Sequence, residues 1–242
     1  VAHDLNNVLS GIVTYPELLL MDLPKNSSLA NSLEIIQASG LRATKIVQDL
    51  LTLSRRGVVT RKVVNLNEIV EEFLRTPECE KILSFHPHVS VVKNLSAGFP
   101  FLKGSEVHLQ KTIMNLISNA AEAQLEGGTI QISTANRHLD KPVKGYDRVQ
   151  PGDYVILSVE DQGMGIDPED LKRIFEPFFT KKVMGRSGTG LGMAVVWGTV
   201  QDHEAYIDVV SHPDSGTRFD LYFPITDDKI ESPLNVNNLN KL

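Results

Sequence analysis

DQGMGIDPEDLKRIFEPFFTKKVMGRSGTGLGMA, residues 161 to 194, sets two glycine clusters on either side of an aromatic segment and a basic loop. Plain core structure explains that arrangement badly, because glycine costs backbone entropy and brings no side chain to pack. The preceding LSVE, residues 157 to 160, reads as a buried strand, so Asp161 falls at a strand end with Gly163 and Gly165 in the turn behind it. A carboxylate there can accept a hydrogen bond from an exocyclic amine, and the two glycines let the backbone approach a flat ring closely. A plain turn would account for these glycines as well, but not for their pairing with the second cluster.

That second cluster is GTGLG, Gly188, Thr189, Gly190, Leu191 and Gly192, leading into the apolar run Met193 to Val200. Glycine-rich backbone entering a helix N-terminus turns free N–H groups toward an anion, the physics of phosphate binding. The spacing is neither GxxxxGK[ST] nor GxGxxG, and the sequence has no VAIK or HRD, which sets aside the P-loop, Rossmann and eukaryotic-kinase folds. Between the clusters, Phe175, Phe178 and Phe179 read as a hydrophobic anchor, and Lys181, Lys182 and Arg186 as a mobile basic lid over phosphates. The competing reading is an ordinary basic surface loop.

Upstream, residues 105 to 125 predict a helix whose buried stripe is Leu109, Ile113, Leu116, Ile117 and Ala120. Asn115 and Asn119 lie four apart on its flank, where amide oxygens suit Mg²⁺, a hard cation that reaches proteins together with phosphates. Two surface amides capping loops would read the same way. Further strands are expected at 63–66, 89–93, 129–134, 154–159, 206–210 and 219–223, and further helices near 67–75, 168–175 and 190–202. Strands and helices interleave without a regular βαβ beat, which predicts one mixed sheet with helices on one face. Residues 137–152 read as an extended loop.

The first 56 residues differ in kind. Leu5, Val8, Leu9, Ile12, Val13 and Leu18 to Leu20 follow helical spacing, with Pro16 expected to kink or loosen the helix. LPKNSS at 23–28 breaks it, Ser27 or Ser28 can cap the next helix, and Leu29, Leu33, Ile36, Leu41, Ile46, Val47 and Leu50 stripe that helix to about Arg56. A lone helical hairpin leaves its apolar faces half covered, so pairing with a second copy into a four-helix bundle is expected. In HDLNN, His3 and Asn7 share a face, and Asp4 beside His3 can hold one ring nitrogen protonated, making the other a better nucleophile. An ordinary solvated histidine beside a capping aspartate is the bland alternative.

Composition narrows the classes. A formal charge of −6 argues against a general nucleic-acid binder, and a single cysteine, Cys79, excludes an internal disulfide and fits a reducing cytoplasm. No apolar run approaches the roughly 18–20 residues that span a bilayer, so no membrane contact is expected of this piece. It opens at Val1 directly into helix, which reads as a fragment with an upstream sensor missing.

Taken together, HDLNN, NLISNAAEA, DQGMGI, FEPFFT and GTGLGMA, in that order, resemble the sensor histidine kinases of two-component signalling over nearly the whole chain. The resemblance implies an α+β fold. Residues 1–58 would be the dimerisation and phospho-acceptor hairpin forming a dimeric four-helix bundle, 59–226 an α/β sandwich ATP-binding domain, and 227–242 a disordered tail. It further implies that His3 takes the γ-phosphoryl group of ATP, Asp4 assists as general base and Asn7 positions water for dephosphorylating the partner. Asn119 would ligate Mg²⁺ with Asn115 nearby, Asp161 would read the adenine amine, and Phe179, Lys182 and the GTGLG residues would belong to the lid and its closure. A homodimer and a response-regulator receiver domain are the implied partners. Pro16, Lys181 where relatives carry Thr, and the glycine-free HEAY at 203–206 depart from the pattern. Two other readings are an ATPase of the chaperone, gyrase and mismatch-repair type, with Glu122 as its acid, and a phosphatase-dominant scaffold.

Overall fold

The computed structural model describes residues 2–24, 27–54, 61–181 and 188–228, with side chains from Asn7 to Leu53 in the helical part and throughout the later stretches. Two compact units result, Val1–Arg56 with Arg173–Val195, and Gly57–Lys172 with Val196–Leu242. Lys182, Arg186 and, of the tail expected over 227–242, residues 229–242 lie outside the described residues, as do the side chains of His3 and Asp4.

In the first unit, helix α1 (Ala2–Asp22) and helix α2 (Ser28–Ser54) pack against each other. The helix runs on through Pro16, which costs it one backbone N–H. Ser27 is the cap, its Oγ accepting from the Ala30 N–H at 3.0 Å. The inter-helix seam buries Leu9, Ala30 and Leu33, and at Gly40 the helices come so close that a Cβ would lie 3.0 Å from Ile12 Cγ2 and Val13 Cγ2. A second stripe stays open: Val8, Ile12, Tyr15 and Leu19 on α1, and the heptad-spaced Leu29, Ile36 and Leu50 on α2, are all exposed.

The second unit begins with β1 (Lys62–Asn65), α3 (Leu66–Leu74), α4 (Pro77–Ser84), β2 (Val89–Leu95) and β3 (Phe101–Gly104). It continues through α5 (Glu106–Ala123), β4 (Gly128–Leu139), β5 (Val143–Lys144), β6 (Arg148–Val149), β7 (Gly152–Asp161) and α6 (Pro168–Leu171). After the Arg173–Val195 segment come the remainder of α7 (Gly192–Asp202), β8 (Tyr206–Ser211) and β9 (Thr217–Pro224). Five strands make one mixed sheet in the order β2-β4-β7-β9-β8, with β2 and β4 parallel and the other pairs antiparallel. Local signals start the helices. Asn65 Oδ1 accepts from the Asn67 and Glu68 N–H groups at 3.0 and 3.3 Å, and Thr76 Oγ1 accepts from Cys79 N–H at 3.2 Å with Pro77 in the first turn.

The stripe expected on α5 is the core: Leu109, Ile113 and Ile117 are fully enclosed, and each such side chain contributes about 1.5–3 kcal/mol of burial. α5 packs on β4 and β7, with α3 and α4 against it. In β7 the residues Tyr154 to Leu157 are buried in succession rather than alternately, because both faces of the sheet are covered there. The second cover is the β5–β6 hairpin, which corrects the extended loop expected over 137–152. Leu139, Val149, Tyr154, Ile156 and Tyr222 form a small core beneath it, flanked by Val143 and Tyr206. The hairpin also meets the outer edge of β8: Asp147 N–H donates to the Ile207 carbonyl at 3.1 Å, and Tyr146 N–H to Asp208 Oδ1 at 2.8 Å. β3 and α4 were not expected from the sequence, and the helix expected over 168–175 is one turn, Pro168–Leu171.

Candidate functional site

In the second unit α5, the end of β7 and the β8–β9 turn meet. Asn115 is buried on α5 and Asn119, one turn on, is half-buried. β7 delivers Asp161, 6% exposed, whose Oδ1 accepts from Gly163 N–H at 2.8 Å. Burial pushes its carboxyl above the ordinary aspartate value, while N–H groups of Gly163 and Thr217 pull it back. The carboxylate is thus a buried acceptor held in a fixed direction.

The glycines after it have a reason the sequence did not disclose. A Cβ on Gly163 would lie 2.6 Å from the Ala123 carbonyl oxygen at the end of α5, and Gly165, at φ 68°, presses against the His212 carbonyl. Close approach to protein backbone, rather than to a ring, already demands both. Further hydrogen bonds pin this loop: Met164 N–H to Ala123 O at 3.1 Å, Asp214 N–H to Met164 O at 2.8 Å, and Ile166 N–H to Ser211 Oγ at 2.8 Å.

Sequence reasoning missed three residues. Ser211 and Thr217 lie in the row of Asp161, and the only signal was a hydroxyl residue on either side of the PDSG turn. His203 is buried, its Nε2 accepting from Ser105 N–H at 2.9 Å and its Nδ1–H donating to the Thr199 carbonyl at 2.7 Å. It is therefore the neutral Nδ1–H tautomer, and burial holds its pKa below the usual histidine value. Ser105 caps α5, so His203 anchors the start of the helix that carries the two asparagines.

In the first unit, the segment Arg173–Val195 carries the aromatic and second glycine motifs. Ile174 and Phe175 are buried and form the anchor, whereas Phe178 is 60% exposed, which corrects its assignment to that anchor. Phe178 has φ 67°, a strained value for a bulky residue. Its N–H donates to the Gly190 carbonyl at 2.9 Å, and a Cβ on Gly190 would lie 2.6 Å from the Phe178 carbonyl carbon. Phe179 is half-buried, with the Arg173 guanidinium 4.5 Å from its ring centre. Gly188 is exposed, Thr189 Oγ1 accepts from Leu191 N–H at 3.2 Å, Leu191 is enclosed, and Gly192 opens α7. His3, Asp4 and Asn7 lie in the first turns of α1, and Asn7 is exposed.

Among the described residues no group of three or more His, Cys, Asp or Glu side chains could hold a metal ion. The amide oxygens of Asn115 and Asn119 on α5 are hard donors, a chemistry that suits Mg²⁺ rather than Zn²⁺.

A mixed sheet with helices packed on it and a buried, oriented aspartate at a strand end is an arrangement suited to binding a nucleotide base. Residues 104–227 match the histidine kinase-, DNA gyrase B- and HSP90-like ATPase family, and the chain belongs to it. Residues 1–58 match the His kinase A phospho-acceptor domain, which places the chain among the sensor histidine kinases. It is 31% identical over 227 residues to sensor kinase CckA of Brucella abortus, covering 93% of this chain and 23% of that protein. To sporulation kinase C of Bacillus subtilis it is 26% identical, covering 94% of this chain and 48% of that one. The chain thus spans less than half the length of these relatives. Among solved structures, full-length ShkA in complex with AMPPNP superposes with a TM-score of 0.68 at 20% identity, over 92% of this chain and 44% of that one. Histidine kinase AdeS of Acinetobacter baumannii gives 0.60 at 21% identity, over 94% and 100%. At those identities the likeness is one of fold.

Proposed function

We propose that this chain binds ATP with Mg²⁺, phosphorylates its own His3, and passes the phosphoryl group to an aspartate of a response-regulator receiver domain. The observation that carries the reading is the joining, in one chain, of a phospho-acceptor hairpin with a unit of the ATPase family whose strand-end Asp161 is buried and oriented.

In the step itself the His3 ring nitrogen attacks the γ-phosphorus of ATP, the bond to the β,γ-bridging oxygen breaks and ADP leaves. Asp4 takes the proton from the other ring nitrogen as charge develops. Asp161 accepts from the adenine amine, and Asn115 and Asn119 would hold Mg²⁺, which neutralises charge on the phosphates. The N–H groups of Gly188 to Gly192 at the start of α7 would cradle phosphate, with Phe179 and Lys182 in the cover. In the reverse direction Asn7 would orient water against the phosphorylated partner.

Homodimerisation is part of the proposal. The open apolar stripe of Val8, Ile12, Tyr15, Leu19, Leu29, Ile36 and Leu50 is what a second hairpin would cover. No helix among the described residues is long and apolar enough to cross a membrane, and free Cys79 suits a reducing cytoplasm.

Incubation with γ-labelled ATP is expected to leave an acid-labile, alkali-stable phosphate on the wild-type chain and none on His3→Gln. Equal labelling of His3→Gln, or steady ATP hydrolysis without phosphoprotein, would overturn the proposal.

A further inference from the structure

Asp161, Thr217 and Ser211 are cross-strand partners in one row over β7, β9 and β8. Directly opposite residues project on the same face with Cβ atoms roughly 4.5–5.5 Å apart, so a carboxylate and two hydroxyls stand side by side at the end of the sheet. Thr217 is 5% exposed and Asp161 6%.

The contacts of Ser211, each made as a hydrogen bond, assign the protons of this row, although either hydroxyl of the Ser211–Thr217 pair could donate taken by itself. Its Oγ lies 2.8 Å from Ile166 N, 3.0 Å from the Gly216 carbonyl oxygen and 2.8 Å from Thr217 Oγ1. A serine hydroxyl has one proton and two lone pairs. The carbonyl can only accept, so the Ser211 proton goes to Gly216. The Ile166 N–H can only donate, so it takes one lone pair. The remaining lone pair receives the Thr217 O–H. With its proton committed to Ser211, the Thr217 hydroxyl offers lone pairs alone to anything else. Beside it, ionised Asp161 is also an acceptor only, already oriented by Gly163 N–H at 2.8 Å.

We propose that Ser211 is a specificity-determining residue of the nucleotide site: by holding the Thr217 proton, it makes the Asp161–Thr217 edge a pair of acceptors that takes a purine with a 6-amino group and rejects one with a 6-oxo group. The proposal rests on the reading of Asp161 as the group that meets the base. A 6-amino group has two protons to give. A 6-oxo group would bring lone pairs against two acceptors and leave buried groups unmatched, the kind of mismatch by which a site rejects an analogue. Ser211 acts through Thr217 and through the loop it ties at Ile166, so it needs no contact with the nucleotide.

The experiment is calorimetric titration of ATP and of inosine triphosphate, which differs at this edge, into the whole chain and into Ser211→Ala, Ser211→Thr and Thr217→Val. Wild type is expected to prefer ATP. In Ser211→Ala the Thr217 proton is released and can turn toward the base, so ATP binding weakens, inosine triphosphate binding strengthens, and the preference falls about tenfold. Ser211→Thr keeps the hydroxyl and keeps the preference. Thr217→Val removes the second acceptor while leaving the Ser211 bonds to Ile166 and Gly216, and lowers the preference whether or not Ser211→Ala folds. Equal weakening of both nucleotides in Ser211→Ala and Thr217→Val, with the preference unchanged, would assign the row a structural role only and overturn the inference. A wild-type chain that bound neither nucleotide would overturn the proposed function along with it.

Discussion

Replacing His203 by phenylalanine keeps a buried ring but deletes two hydrogen bonds, one at each ring nitrogen, from Ser105 N–H at 2.9 Å and to the Thr199 carbonyl at 2.7 Å. The Thr199 carbonyl keeps its helical partner, the His203 N–H at 3.0 Å, so that loss is one ordinary bond, about 1 kcal/mol. Ser105 N–H has no such substitute and is left unmatched at the first turn of α5, which costs about 1–3 kcal/mol. The ring itself has little room to shift: it stands edge-on to Phe223 at 5.9 Å, and a Cβ on Gly104 would lie 2.6 Å from its Cδ2. The sum, about 2–4 kcal/mol, lowers the melting temperature of a unit this size by roughly 5–15 °C. Trp197, the single tryptophan of the chain, lies on α7 near Thr199 and reports the transition by fluorescence. The pH dependence supplies an independent check. Burial lowers the folded-state pKa of His203, so the unfolded chain binds the proton first. Stability is full above the unfolded value of about 6.5 and is lost as pH falls below it toward the folded value. His203→Phe should lack that acid slope. A variant that melts within about 1 kcal/mol of wild type and keeps the slope would refute the assignment of His203 as the anchor of α5.

Two further outcomes follow from single residues. Glu204 holds φ 53°, a left-handed conformation that glycine adopts without strain, so Glu204→Gly should stabilise the unit by about 1 kcal/mol in urea melts, less whatever its exposed pair with Arg61 contributes. Asp161 behaves oppositely to His203 on acidification, because its folded pKa is raised by burial. Ionising it costs stability at neutral pH, a cost relieved as pH falls through the folded value, whereas ATP affinity should drop over the same range as the acceptor is lost; Asp161→Asn should flatten both curves in parallel melting and binding titrations.

The helical hairpin was legible because its apolar residues repeat at three and four, and α5 because its stripe is fully enclosed as expected. Asp161 and the glycine clusters stood out by residue type. What stayed hidden depends on partners distant in sequence. Strand β3 is only four residues and pairs with β1 nearly forty positions earlier. The β5–β6 hairpin offers too few apolar residues to announce itself, and its small core draws Tyr154, Tyr206 and Tyr222 from other strands. HEAY seemed only to lack glycines, yet its histidine binds Ser105, 98 positions away. The reasons for Gly163 and Gly165 lie in the carbonyls of Ala123 and His212, which no local pattern reveals.

The β5–β6 hairpin has a consequence for solubility. An edge strand with free carbonyl and N–H groups is a template on which a second sheet can grow. By giving Asp147 N–H to the Ile207 carbonyl and covering Tyr206 and Tyr222, the hairpin turns that end of β8 from a sticky margin into a finished border. At the opposite margin, β2 places Lys93 in an ion pair with Glu71 at 2.6 Å, a charge of the kind that discourages strand addition. Edge-to-edge pairing is thereby disfavoured at both margins of the five-stranded sheet.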